Sequence, residues 1–294
     1  MEKKKIKLDN SETLAYIEQG TGKKVLILVH GNMSSSLHFL PLFNKLDDSY
    51  RLIAVDLRGF GDSSYENEFS SLKELSEDLA LFVKALNIPK AYFLGWSTGG
   101  GIVMELAAMY PKLVEKIILL ESASHKGYPI FQKDANNQSI IGKAYASKKE
   151  MAADPVQVAP VLQAFQTNNI AFMTWLWNIT IYPVQKPSPE ENVLYMQETM
   201  KQRNLVDIDW SLANINMSDQ ANAYGKGDGA IHKIVCPSLH IWSKNDIVVP
   251  YSMVQENYEA LKPRSHLKIY EVGGHSPLVD NLMELVKDIN SFCE

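Results

Sequence analysis

The chain is poor in several things that would point to particular classes of protein. Cysteine is scarce: Cys236 and Cys293 are the only two in 294 residues. Two cysteines cannot build a disulfide framework, and neither stands in a CxxC or Cys/His spacing that would hold zinc. Long apolar runs are missing too. Val25–Val29 and Ile117–Leu120 are among the longest, and both are far too short to span a bilayer. There is no excess of positive charge, since 29 Lys+Arg face 34 Asp+Glu for a formal net charge of −5. Nucleic acid therefore finds no electrostatic footprint. The first residues, Met-Glu-Lys-Lys-Lys, are basic, but Asp9, Asn10, Ser11 and Glu12 follow where a signal peptide would turn apolar. A cytoplasmic, reducing location is the expectation. What remains is a hydrophobic fraction of 46% with 21% charged residues, the composition of a folded globular protein. At this length a folded chain buries about 75% of the surface its unfolded form exposes.

The first half alternates between two periodicities. Strands are expected at Lys3–Asp9, Leu14–Gln19, Val25–His30, Arg51–Leu57, Ala91–Trp96 and Val114–Glu121. Between them lie helical patterns at 37–46, at 72–86 behind a Ser71/Glu74 capping box, and at Thr98–Tyr110. Strands alternating with helices imply a mostly parallel sheet with right-handed crossovers. The alternation stops at about Ser124 and resumes at about His232, with strands Ser238–Trp242 and His266–Val272 and helices Tyr251–Leu261 and Pro277–Phe292. One α/β core, 1–123 plus 232–294, is thus interrupted by a mostly helical segment, 124–231, without a clear buried strand. Ligand sites in open α/β sheets lie at the strand carboxyl ends, where this segment leaves and re-enters, so it reads as a lid.

Gly95-Trp96-Ser97-Thr98-Gly99 carries the sharpest chemical signal. It stands where an expected strand meets an expected helix. A serine at such an apex is held in a strained conformation with its hydroxyl projecting above the sheet, and the flanking glycines let strand and helix approach. The helix then points unpaired N–H groups at the same spot, which suits an oxyanion. A serine needs a base. His275, in Gly273-Gly274-His275, follows the last strand, and Asp246, in Lys244-Asn245-Asp246, follows the strand before it. The order Ser97, Asp246, His275 predicts a nucleophile, its orienting acid and its base. Glu121, at the end of the strand before the insertion, is the reserve acid. The oxyanion donors are expected to be the backbone N–H groups of Asn32 and Thr98, with Met33 the rival of Asn32. His30 is expected to fix its loop and His240 to sit in the core. His38, His125, His232 and His266 are expected at the surface or in the lid. The Asp56–Ser63 turn is read as structural, its Asp and Arg holding neighbouring loops.

With these residues in place the chain resembles the α/β-hydrolase superfamily over nearly its whole length. The resemblance implies an eight-stranded, mostly parallel sheet with a helical cap inserted after strand 6, a serine hydrolase mechanism through an acyl-enzyme, and neither cofactor nor metal. The Gly-Trp-Ser-x-Gly elbow, with an acid 149 residues later and a histidine 29 beyond that, is similar to the intracellular poly(3-hydroxybutyrate) depolymerases of Bacillus type. That likeness implies a short-chain 3-hydroxyalkanoate polyester or oligomer as substrate, although Thr98 stands where such elbows carry Met. Met173, Met196, Met200 and Met217, with the tryptophans of the lid, are candidates for an adaptable apolar surface. Alternatives are a generic small-ester or lactone esterase, a carbon–carbon bond hydrolase, and a non-catalytic ligand-binding member of the fold. Asn32 after His30-Gly31 also suits a dehalogenase, but that chemistry needs a carboxylate nucleophile, and Ser97 would form an ether that water cannot cleave in the same way.

Overall fold

The computed structural model describes all residues 1–294. Ten strands are β1 (Lys4–Lys7), β2 (Thr13–Gln19), β3 (Lys24–Val29), β4 (Tyr50–Val55), β5 (Ala91–Trp96), β6 (Val114–Leu120), β7 (Phe131–Lys133), β8 (Ser139–Ala144), β9 (Ser238–Ser243) and β10 (Ser265–Tyr270). Eight of them form one sheet in the order β1-β2-β4-β3-β5-β6-β9-β10. The β1–β2 and β2–β4 pairs are antiparallel and the rest are parallel. The central strands are continuous apolar runs because both faces of the sheet are covered: Leu26, Ile27, Leu28 and Val29 of β3 are all inaccessible to solvent.

The helices are α1 (Leu40–Phe43), α2 (Leu72–Ala85), α3 (Thr98–Met109), α4 (Lys148–Met151), α5 (Ala159–Gln166), α6 (Ile170–Thr180), α7 (Pro189–Thr199), α8 (Leu205–Asn214), α9 (Tyr251–Ala260), α10 (Pro277–Asp280) and α11 (Leu282–Cys293). The Ser71/Glu74 capping box opens α2, and Leu72, Leu75, Leu79, Phe82 and Val83 bury its inner face. Together with α3 it covers one face of the sheet, joined by Ile208 and Leu212 of α8. On the other face α1 and α11 pack over Leu26, Leu28, Leu52 and Leu94. Each fully buried Leu, Ile or Phe contributes about 1.5–3 kcal/mol relative to exposure, so the two layers lock the strand ends that carry the site.

The segment between β6 and β9 is not wholly helical. It opens with an exposed antiparallel hairpin, β7–β8, before α4–α8. Its strands lie outside the core sheet, so they carry none of the buried apolar pattern that marks β3–β6. The expected single helix over 277–292 is also two, broken at Asn281, whose φ of −133° is not helical. His125 lies in the insertion, as expected, and is buried, whereas His38 is neither at the surface nor in the insertion but buried in the core domain. His38 stacks between Tyr195 and Trp177 of the insertion. Burial pushes its imidazole down to about 3, with His30 adding to the effect, so it stays neutral. Met173, Met196 and Met217 are buried packing residues and Met200 is half-buried, so they present no methionine surface. His232 and His266 are exposed.

Candidate active site

Ser97 sits between β5 and α3 with φ 57° and ψ −120°, a strained conformation for a residue with a Cβ. Close packing around it explains the glycines. A Cβ on Gly95 would stand 2.4 Å from the Gly99 carbonyl oxygen, and one on Gly99 would stand 2.2 Å from that of Val29. Only glycine allows β5, α3 and β3 to meet this closely. The strain is held by Ser97 N–H donating to Leu120 O at 2.9 Å and by Gly100 N–H donating to Ser97 O at 2.9 Å.

His275 and Asp246 come from the loops after the neighbouring parallel strands β10 and β9. Asn245 links the loops: its N–H donates to Gly273 O at 2.9 Å, and its Oδ1 accepts from Gly273 N–H at 3.3 Å. This brings His275 Nδ1 to 2.8 Å from Asp246 Oδ2. Asp246 Oδ1 accepts from the N–H groups of Val248 and Val249 at 2.8 and 3.0 Å, so neither carboxylate oxygen is free to turn. Burial raises the Asp246 carboxyl, but the imidazole beside it and the hydrogen bonds it accepts outweigh that and hold it below the usual range. Both Ser97 and His275 line one cavity. The Ser97 hydroxyl makes no hydrogen bond within the protein; such contacts commonly close only when substrate is bound.

Glu121 lies behind this pair. Its backbone is left-handed, with φ 44°, and its carboxyl is fully buried beside Asp246 and Ser243 without a well-formed hydrogen bond. Burial, then the negative charge of Asp246, pushes it well above the ordinary carboxyl range, which favours its protonated form. The His275 imidazole is bonded to Asp246 and not to Glu121.

The loop after β3 separates Asn32 from Met33. The Met33 N–H is already taken, donating to Asn32 Oδ1 at 2.9 Å and to Gln202 Oε1 at 3.0 Å. The N–H groups of Asn32 and Thr98 have no partner in the protein, and both residues line the cavity. Unclaimed donors facing a cavity suit a developing oxyanion. His30 fixes the loop from beneath: Nε2 accepts from Leu57 N–H at 3.1 Å, so Nδ1–H donates to Gly31 O at 2.7 Å.

The insertion grips the same loop, which the sequence alone did not reveal. Gln202 Nε2 donates to Asn32 Oδ1 at 2.8 Å, Thr199 Oγ1 donates to Met33 O at 2.6 Å, and Asn32 Nδ2 donates to Asp209 Oδ1 at 2.8 Å. Nothing local in the sequence marks these residues, which lie more than 160 positions away. Trp96 was also missed as a site residue. It precedes the nucleophile, and its Nε1–H donates to His275 O at 2.8 Å.

The cavity holds about 570 Å³. Its walls are mainly apolar and aromatic, among them Trp96, Tyr128, Phe172, Trp175, Trp177 and Val249, and it has no Lys or Arg. Asp56, Asp62 and Glu198 gather elsewhere within reach of one ion. Their space is filled by the Lys3 ammonium, 2.7 Å from Asp56, 3.1 Å from Asp62 and in contact with Glu198. The cluster is an ion-pair node tying the N-terminal segment to α7, with Lys201 at 2.9 Å from Asp62. Arg58 and Asp78 form a similar buried pair at 2.6 Å, as the structural reading of the 56–63 turn expects.

An eight-stranded sheet thus carries a serine elbow and a histidine–carboxylate pair at its carboxyl edge. A family model described as alpha/beta hydrolase fold matches residues 24–282. The chain belongs to the alpha/beta hydrolase fold family. Similar proteins include a pimeloyl-[acyl-carrier protein] methyl ester esterase of Aliivibrio salmonicida, 23% identical over 96% of each chain. The biotin biosynthesis bifunctional protein BioHC of Teredinibacter turnerae is 26% identical over 92% of this chain and 44% of its own length. Among solved structures, an esterase from Exiguobacterium antarcticum superposes with a TM-score of 0.75 at 20% identity, covering 98% of both chains. At that identity the superposition shows the shared alpha/beta hydrolase fold alone. No helix of the structure is long and apolar enough to cross a membrane.

Proposed function

We propose that the protein is a serine hydrolase of carboxylic esters that works through an acyl-enzyme. The observation that carries this reading is the strained Ser97, at φ 57°, opening into the cavity that also presents His275, whose imidazole is hydrogen-bonded to Asp246. Ser97 Oγ attacks the ester carbonyl while His275 Nε2 takes its proton. The N–H groups of Asn32 and Thr98 receive the negative charge that forms on the carbonyl oxygen. Collapse of the intermediate expels the alcohol, which leaves with the proton returned by His275. Water then repeats the sequence on the acyl-enzyme, delivering its hydroxyl to the carbonyl and its proton to the imidazole, and the acid is released. Asp246 keeps the imidazole in the tautomer that has Nε2 free and balances the imidazolium.

Residues 124–231 serve as a cap over this site, contributing walls to the cavity and three clamps to the oxyanion loop. The absence of cations from the cavity and its aromatic walls support a neutral, apolar ester. The similarity to a methyl ester esterase is in keeping with ester chemistry. The finer reading is a short-chain 3-hydroxyalkanoate ester, polymeric or oligomeric, supported by the Gly-Trp-Ser-x-Gly elbow and the acid and histidine spacing.

The deciding experiment is hydrolysis of a short-chain 4-nitrophenyl ester by the wild type and by Ser97→Ala. Turnover with a burst, lost in the variant, is expected. No turnover and no burst on any acyl substrate would refute the reading. Incubation with amorphous polyester granules tests the finer reading: release of hydroxy acid is expected, and brisk hydrolysis of small esters without release would reduce it to a small-ester esterase.

A further inference from the structure

Asp209 is a buried acid in the cavity wall, on α8 of the insertion, only 7% exposed. One of its oxygens accepts the hydrogen bond from Asn32 Nδ2 at 2.8 Å. The other makes no hydrogen bond within the protein and is not sealed off; it is open to the cavity. A clamp on Asn32 requires a single acceptor, which an amide or a hydroxyl would supply. A carboxyl brings a second oxygen into an apolar chamber that contains no Lys or Arg to pair with it. An unpartnered polar atom in such surroundings is costly unless a ligand completes it.

We propose that Asp209 reads the substrate: its free oxygen hydrogen-bonds a hydroxyl that the ester carries close to the scissile carbonyl, making hydroxylated esters better substrates than their plain counterparts. The inference rests on the ester hydrolase reading above. Proximity to the carbonyl follows from connectivity, because Asp209 is bonded to the side chain of Asn32, whose backbone N–H is the proposed oxyanion donor. Burial pushes the carboxyl up to about 8, with Asp154 adding to the effect, so near neutral pH the group is an uncharged acid. Oδ1 accepts from Asn32, which leaves the proton on Oδ2. Oδ2 therefore both donates and accepts, and an alcohol does the same. An ammonium group would instead create an ion pair within the apolar chamber, with two charges to desolvate.

The test compares ethyl butyrate with ethyl 3-hydroxybutyrate, hydroxylated on the acyl side, and with 2-hydroxyethyl butyrate, hydroxylated on the alcohol side. The quantity read is the ratio of kcat/KM for each hydroxylated ester to that for ethyl butyrate, in wild type, Asp209→Asn and Asp209→Leu. Intrinsic reactivity and any loosening of Asn32 cancel in the comparison of ratios. One ratio should fall about tenfold in Asp209→Leu, the size of one hydrogen bond, and survive in Asp209→Asn, whose amide still donates into the cavity. Which of the two esters shows the fall identifies the side that carries the hydroxyl. Unchanged ratios in Asp209→Leu would overturn the proposal and leave Asp209 as a positioning residue for Asn32. Inhibition of the wild type needs no variant to fold: 3-hydroxybutyramide or N-(2-hydroxyethyl)butyramide should bind several-fold tighter than butyramide or N-ethylbutyramide respectively, and equal inhibition in both pairs would also overturn it. Absence of turnover by the wild type on all three esters, together with no turnover and no burst on the 4-nitrophenyl ester, would instead bring down the ester hydrolase reading itself.

Discussion

Replacing Asp209 by Asn should make the protein more resistant to alkaline destabilisation. In the folded chain burial raises this carboxyl from 3.8 to about 8. Well below pH 3.8 both folded and unfolded forms hold the proton and the group costs nothing. As pH rises past the unfolded value, the unfolded chain ionises and the folded one does not, so stability is lost at about 1.4 kcal/mol per pH unit. The loss levels off above pH 8, where it amounts to about 6 kcal/mol. Asparagine is nearly isosteric, cannot ionise, and retains an oxygen to accept from Asn32 Nδ2. The variant should match the wild type within about 1 kcal/mol at pH 4.5, the scale of one altered hydrogen bond. At pH 8.5 it should exceed the wild type by several kcal/mol, a large fraction of the 5–15 kcal/mol that holds a typical domain together. Urea unfolding of both proteins at the two pH values measures the difference. A gap that does not widen between pH 4.5 and 8.5 would refute the claim that the cavity keeps this acid neutral.

Gln202→Ala removes a partner from Met33 N–H and another from Asn32 Oδ1, so kcat should fall about tenfold with KM little changed, as steady-state kinetics would show; an unchanged kcat would mean the insertion does not order the oxyanion loop. Asp246→Asn should cut kcat by about 10²-fold or more, whereas Glu121→Gln should cost only a few-fold; equal losses would show that the two carboxyls share the role. Because Glu121 is raised in the folded state, Glu121→Gln should also gain stability relative to wild type as pH climbs above the ordinary carboxyl range, read by thermal unfolding across pH. Gly99→Ala places a Cβ 2.2 Å from the Val29 carbonyl oxygen and should cost at least about 3 kcal/mol or abolish folding; a near-neutral effect on Tm would contradict the packing at the elbow. Half-esters with a free terminal carboxylate should be hydrolysed at least about tenfold more slowly than neutral esters of equal length, since no cation awaits them in the cavity.

Much of the core was legible in one dimension because burial on both faces writes a continuous apolar run. Leu26–Val29 and Ile117–Leu120 cannot be anything other than central strands once glycines and helical periods bound them. The serine elbow was legible for a related reason: a strand-to-helix turn this tight admits only glycine at positions 95 and 99, and that constraint is local. The exposed β7–β8 hairpin lacked such a signal because neither of its faces meets the core. The break at Asn281 leaves no mark in the sequence because the apolar period runs on through it.

Other features belong to the tertiary structure alone. Asp246 follows β9 and Glu121 follows β6, the strand next to it, and the Asn245–Gly273 link decides which carboxylate meets the imidazole. Asn32 and Met33 are adjacent in the chain, yet only one N–H remains unclaimed, because Gln202, 169 residues from Met33, occupies the other. The burial of His38 depends on Tyr195 and Trp177 folding back over it. In each case the determining contact joins segments whose separation in sequence carries no periodicity, so only the packing of the insertion against the sheet edge could settle it.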